Sequence, residues 1–234
     1  MAAELTGPRL APRSRKPARQ LVVFLHGYGA DGNDLIELGR ARQNLLPEAA
    51  FASPHAPEPC AQAPIGRQWF SLTFPFRDKN ERWTGVNKAA LVLERFLSEE
   101  LKRNNLPGSA LALVGFSQGT MMALHVGLRR TERPAAIVGY SGLFVLPDGH
   151  GPKAVSGEIK ARPPVLLVHG DRDDLIPAEA LFLSAQHLAT LDIPTEWHVS
   201  AGLGHGIDQE GLQHGGEFLA RRFSSKASQF RLTE

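Results

Sequence analysis

Sulfur is scarce: the 234 residues hold one cysteine, Cys60, and three methionines. A single thiol closes no internal disulfide and builds no thiolate metal cluster, so a reducing, cytoplasmic setting is expected. Long apolar runs are missing too. Nothing approaches the roughly 20 residues that cross a bilayer, which argues against stable membrane insertion. The opening MAAELTGPRLAPRSRKPARQ lacks the apolar stretch of a secretory signal. An excess of one charge is also lacking: the formal net charge is +2, despite a pI near 8.9. Arg9, Arg13, Arg15, Lys16 and Arg19 supply much of the basic side, and residues 1–20 read as a basic arm or edge segment. Elsewhere the signs alternate and no aromatics interleave with a basic stripe, so nucleic acid is not an expected partner. Internal repeats and low-complexity segments are absent.

What remains is an ordinary globular composition, 42% hydrophobic and 21% charged. LVVFL (21–25) reads as a strand buried on both faces and closed by the glycine turn His26-Gly27-Tyr28-Gly29. A helix is expected over 34–44, a weaker strand over 50–53, and a long packed loop over 54–82 that contains Trp69, Phe70, Phe74 and Phe76. Val86, Ala90, Leu93, Leu97 and Leu101 recur at helical steps, which predicts a helix over 84–104 with Thr84 as its N-cap. Further strands are expected at 111–116, 136–140, 165–168 and 195–199, and further helices at 118–130, 178–191 and 209–223. Strands alternating with helices predict one α/β domain over 21–234, a mostly parallel sheet covered on both faces.

The apolar run LALVGF ends at Ser117 inside GFSQG, and TMMALHVGL continues with helical character. With 23 glycines in the chain, a G-x-S-x-G match alone is weak. Its setting between strand and helix is what makes Ser117 a candidate nucleophile rather than a small turn residue. A serine hydroxyl needs a base, and the base an orienting acid. Just past the 165–168 strand, HGDRDDLIP offers Asp171, Asp173 and Asp174, which the residues alone do not separate. Beyond the last strand lie His205, in the glycine-rich AGLGHGI, and His214, within a helix; His205 is the stronger candidate base. His26 and His169 end strands and read as turn formers. Backbone N–H groups of Tyr28 and Gln118 are the candidate oxyanion donors, one from the early glycine loop and one following the nucleophile.

Together, LHGYGADGND, RQWFSL, GFSQG, YSGLFVLP, HGDRDDLIP and GLGHGI resemble the carboxylesterase/phospholipase group of α/β-hydrolases, which includes acyl-protein thioesterases and small bacterial carboxylesterases. The likeness runs from about Leu21 to Phe223. It implies an α/β-hydrolase fold with Ser117 as nucleophile, Asp173 as acid, His205 as base, and Tyr28 and Gln118 as oxyanion donors. Trp69 matches an aromatic near the acyl-binding side in that family. The chain departs from the pattern at Thr120, where many relatives carry glycine, at Asp174, where thioesterase-like members often carry proline, and at Tyr28, where that branch has leucine.

The expected chemistry is acyl transfer from a small-molecule ester or thioester, with no metal or organic cofactor required. Trp69, Phe70, Leu143 and Phe144, with Phe74 and Phe76, are expected to line the acyl pocket, although the same aromatics could equally pack the core. No large lid insertion is evident, which points to short or medium acyl groups. Acyl-protein thioesterase or lysophospholipase activity, and a silent ligand-binding fold, stand as alternatives. A homodimer is also left open.

Overall fold

Side chains point to opposite faces at each step along a strand. In LVVFL, LALVGF, AIVGY and VLLVHG both sets are apolar, so both faces of the sheet must be covered. The computed structural model, which describes residues 4–73 and 78–230, has nine strands, five α-helices and two short 3-10 helices among those residues. The strands are β1 (Arg9–Leu10), β2 (Gln20–Leu25), β3 (Ala49–Ala52), β4 (Glu58–Pro59), β5 (Arg67–Gln68), β6 (Leu111–Phe116), β7 (Ala136–Tyr140), β8 (Val165–Gly170) and β9 (Thr195–Ser200). The helices are α1 (Gly32–Arg42), α2 (Lys79–Arg103), α3 (Gln118–Gly127), α4 (Glu179–Thr190) and α5 (Gln209–Phe230).

Seven strands form one sheet in the order β1-β3-β2-β6-β7-β8-β9, parallel except for the antiparallel edge strand β1. The strand periodicity sorts the core into two layers. Leu21, Val23, Leu25, Leu111, Leu113, Ile137, Val165 and Leu167 pack against apolar residues of α2, α3 and α4. Their alternates Val22, Phe24, Ala112, Val114, Val138, Leu166 and Val168 pack against α1 and α5. This is the α/β-hydrolase arrangement that the resemblance implied. Among the described residues, no helix is long and apolar enough to cross a membrane.

The segment before β2 is held to the sheet edge. His55 N–H donates to the Thr6 carbonyl at 2.7 Å and Ser53 N–H to Pro8 at 3.0 Å. Arg9 donates to the buried Glu100 carboxylate at 2.8–3.0 Å.

Two expectations need correction. Thr84 does not cap the long helix: α2 begins five residues earlier at Lys79, where the Asp78 carboxylate accepts from Asn80 N–H at 2.8 Å and Glu81 N–H at 3.2 Å. Glu81, in the first turn, also accepts from the Thr73 N–H and hydroxyl at 2.8 and 3.0 Å, which ties the helix start to the preceding loop. The 54–82 stretch is not wholly irregular either, because β4 and β5 pair as a small antiparallel ribbon within it.

Helix α3 runs through the core and carries His125, buried with its Nδ1 unpartnered. Its ring meets Trp83 edge-on at 5.6 Å. Burial, with the Arg129 guanidinium nearby, pushes its pKa down from 6.5 to about 3. The folded chain therefore keeps His125 neutral while the unfolded chain takes up a proton below about 6.5. This contribution to stability is present above that pH and is lost as pH falls toward about 3, by up to about 1.4 kcal/mol per pH unit. The urea midpoint is expected to drop between pH 7 and pH 5, with a smaller drop in His125→Leu; equal pH slopes for the two proteins would remove His125 as the cause.

Candidate active site

At the end of β6 the chain must reverse into α3 while crossing under β2. Ser117 occupies that corner with φ 52° and ψ −116°, a strained geometry for a residue with a side chain. Its N–H donates to the Tyr140 carbonyl at 2.8 Å, which continues the β6–β7 ladder into the turn. A Cβ on Gly115 would overlap the Gly119 backbone, and one on Gly119 would overlap the Leu25 carbonyl. Both motif glycines are thus required by close backbone approach. Gln118 opens α3, so its N–H has no acceptor within the helix and faces the anion-favouring helix start.

The three aspartates after β8 separate by environment. Asp171 accepts from Gly202 N–H at 2.6 Å, and Asp174 is exposed. Asp173 has a fully buried side chain. Its Oδ1 accepts from Leu175 N–H (3.0 Å) and Ile176 N–H (2.9 Å), and its Oδ2 lies 2.7 Å from His205 Nδ1. A carboxylate can only accept here, so Nδ1 of His205 carries the proton and Nε2 keeps its lone pair.

His205 sits between β9 and α5, and its loop is fastened at several points. Ser141, itself at φ 46°, donates its hydroxyl to the Gly206 carbonyl at 2.9 Å. Arg172 N–H donates to Leu203 at 2.9 Å. The His205 ring lies 5.1 Å from the ring of Phe116, the residue before Ser117. His214 is elsewhere: it is exposed on α5 beside Glu210.

His169, which the sequence pattern reads as a turn former at the end of a strand, sits against the proposed acid. It is buried, its Nε2 lies 2.7 Å from the Ile176 carbonyl and 3.2 Å from Asp173 Oδ2, and its Nδ1 has no partner. Both neighbours of Nε2 are acceptors, so that nitrogen bears the proton and His169 reaches the same Asp173 oxygen as His205. Its place directly before GDRD was the available signal.

The early glycine loop is braced by a second buried histidine. His26 Nε2 accepts from Ala56 N–H at 3.0 Å, while Nδ1 donates to the Gly27 carbonyl at 2.8 Å. Those partners require a neutral ring, and burial lowers its pKa accordingly. Gly27 runs beside the elbow: a Cβ there would lie 3.3 Å from Ser117 Cβ. Gly29 N–H donates to Arg67 at 2.9 Å, which fixes the backbone just after Tyr28. The Tyr28 hydroxyl is pushed up to about 12, first by burial and then by its hydrogen bond with Cys60.

Trp69 and Phe70 are 1% and 2% exposed and belong to the core. They brace the site rather than line a surface. Trp69 Nε1–H donates to the His26 carbonyl at 3.0 Å. The Gln118 side chain accepts from Trp69 N–H and donates to the Phe70 carbonyl, both at 2.8 Å. Leu143 and Phe144, by contrast, line a cavity of about 430 Å³ together with Arg82, Leu146, Ala180, Leu183 and others. Gly142, which precedes this wall in the chain, packs against the elbow, where a Cβ would lie 2.8 Å from the Ser117 carbonyl oxygen; Ser117, Asp173 and His205 are not among the residues that line the cavity. Phe74 and Phe76 lie outside the described residues.

A family model described as Phospholipase/Carboxylesterase matches residues 11–222. A solved structure of esterase PE8 superposes with a TM-score of 0.88 at 41% identity, covering 94% of this chain and 99% of that one. Acyl-protein thioesterase 1 of Gibberella zeae is 28% identical across 95% of this chain and 100% of its own length. Esterase YpfH of Escherichia coli is also 28% identical, over 85% of this chain and 81% of its own.

Truncating Gln118 to alanine leaves its backbone N–H in place but strips partners from two buried main-chain groups. Gln118→Ala should lower stability by about 2–4 kcal/mol and reduce kcat by roughly tenfold through loosening of the Trp69–Phe70 brace. Denaturant titration and ester turnover measure the two effects; an unchanged kcat would show that the brace does not reach the candidate nucleophile.

Proposed function

The chain belongs to the phospholipase/carboxylesterase family of carboxylic ester hydrolases, and from that premise we propose that it is a serine carboxylesterase acting on short-to-medium acyl esters through Ser117, His205 and Asp173. The observation that carries this reading is the 2.7 Å contact between His205 Nδ1 and the buried Asp173 carboxylate, in a histidine packed against the residue before the strained Ser117.

In the proposed cycle, Nε2 of His205 takes the Ser117 proton as Oγ attacks the ester carbonyl. Asp173 holds the ring in the Nδ1–H tautomer and stabilises the imidazolium that forms. The N–H groups of Tyr28 and Gln118 receive the oxyanion, each donor being worth about 3 kcal/mol in comparable sites. Collapse expels the alcohol, which takes the proton from His205. Water, deprotonated by the same histidine, then releases the acid and regenerates the serine.

The acyl chain is assigned to the cavity lined by Leu143 and Phe144, whose roughly 430 Å³ lies at the small end of ligand pockets. The acyl-protein thioesterase named above, alike along its whole length, favours a second reading in which the leaving group is a thiol. Lysophospholipase activity has no separate observation in its favour.

Hydrolysis of p-nitrophenyl esters from acetyl to palmitoyl tests the proposal. Wild-type turnover should peak at short-to-medium chains, and Ser117→Ala should lose about 10⁴-fold or more of kcat. Equal turnover by the variant would overturn the nucleophile. A rate rising steadily to palmitoyl would overturn the chain length, and a long-chain thioester cleaved far faster than its oxygen ester would favour the thioesterase.

A further inference from the structure

At the outer edge of the sheet, remote in role from the ester chemistry, three metal-ligating side chains converge. His198 projects from β9, and Glu210 and His214 stand four residues apart on one face of α5. His198 Nε2 lies 3.8 Å from Glu210 Oε1, and His214 Nε2 lies 3.9 Å from the same oxygen. The two imidazole rings are 4.2 Å apart between centroids, tilted by 36°. All three donor atoms fall within 4.8 Å of one another.

These spacings exceed hydrogen-bond length. His198 Nε2 is buried without a hydrogen-bond partner, an unexplained cost in a side chain aimed at two more donors. A shared central ion accounts for all of it. In tetrahedral zinc sites, bonds of about 2.0–2.1 Å separate neighbouring donors by roughly 3.3 Å, so closing the triangle needs about half an ångström on each Glu210 edge and up to about 1.5 Å between the imidazole nitrogens. Glu210 and His214 are exposed and free to make them. Two imidazoles and one carboxylate form a borderline donor set that suits Zn²⁺, and by the same chemistry Co²⁺, better than Ca²⁺ or Mg²⁺.

We propose that His198, Glu210 and His214 form a binding site for a divalent transition-metal ion, with Zn²⁺ as the fitting occupant and water completing the shell. Its ligands come from the two elements that flank the His205 loop. Ser200 and Gly211 already tie that junction together through Asp208, at 3.0 and 2.7 Å. A bound ion fastens β9 to α5 at the same place and acts on stability, outside the acyl-transfer steps.

The test is calorimetric titration of Zn²⁺ into the tag-free, EDTA-treated full chain, alongside thermal melts and Co²⁺ absorption spectra. One saturating ion per chain is expected, with a Zn²⁺-dependent rise in Tm and visible Co²⁺ bands. His214→Ala should weaken binding at least about tenfold and abolish both signals; Glu210→Gln should weaken it in the same direction. Two results overturn the site: no saturable binding to the wild type, or equal affinity in His214→Ala. Binding lost in His205→Ala but kept in His214→Ala would move the ion to the catalytic histidine, and that too overturns it.

Discussion

The proposed catalytic end of this molecule depends on how closely one helix approaches two strands. Helix α3 crosses β2 and β6 at a distance that leaves no room for a Cβ at Gly115 or Gly119. That crowding forces Ser117 into a backbone geometry that a serine would not otherwise adopt. The cost is met by surrounding order: the β6–β7 ladder continues through the Ser117 N–H, and α3 is buried along its length. A looser crossing would relax the turn and lower the hydroxyl back toward the sheet.

Around that corner, the proposed catalytic groups are held largely by residues outside the proposed chemistry. Asp173 receives donors from Leu175, Ile176 and His205 and abuts His169. The glycine loop proposed to receive the oxyanion is supported by His26, held neutral between Ala56 and Gly27, and by the Trp69 indole on the His26 carbonyl. Gln118 joins the two systems. Its main chain starts α3 while its side chain clamps Trp69 and Phe70. Preorganisation of this kind matters because donors that are already oriented need not reorganise as charge develops.

Much of this was legible in the residues. The parallel strands announced themselves because both of their faces are apolar, and the order of serine, aspartate and histidine carried the proposed triad. The residues alone did not separate Asp173 from Asp171 and Asp174, and only the family resemblance singled it out; in the structure its burial and its contact with His205 distinguish it, and both follow from the path of the chain after β8. The start of α2 was misread because Asp78, a polar residue in a segment without apolar period, supplies the cap. Trp69 and Phe70 carried an ambiguous signal: an aromatic in a long loop reads the same whether it faces a substrate or the core. Their main-chain bonds to Gln118 link positions almost fifty residues apart, a distance over which no local pattern speaks.

Thr120 shows how a departure from the family pattern can carry structure. Its hydroxyl lies 2.9 Å from the carbonyls of both Gly115 and Tyr140, so the first turn of α3 is joined to the ends of β6 and β7. Its methyl fills space that Gly139 and Gly142 leave open; a Cβ on either would overlap the threonine or crowd it. The threonine and those two glycines are therefore one packing solution, and a glycine at 120 would leave a void between helix and strand. The chain leaving β7 passes over this contact as Ser141, which pins the His205 loop, and then as Leu143 and Phe144, which wall the cavity. The proposed nucleophile, the histidine loop and the Leu143–Phe144 wall are thus all tied to the end of β7.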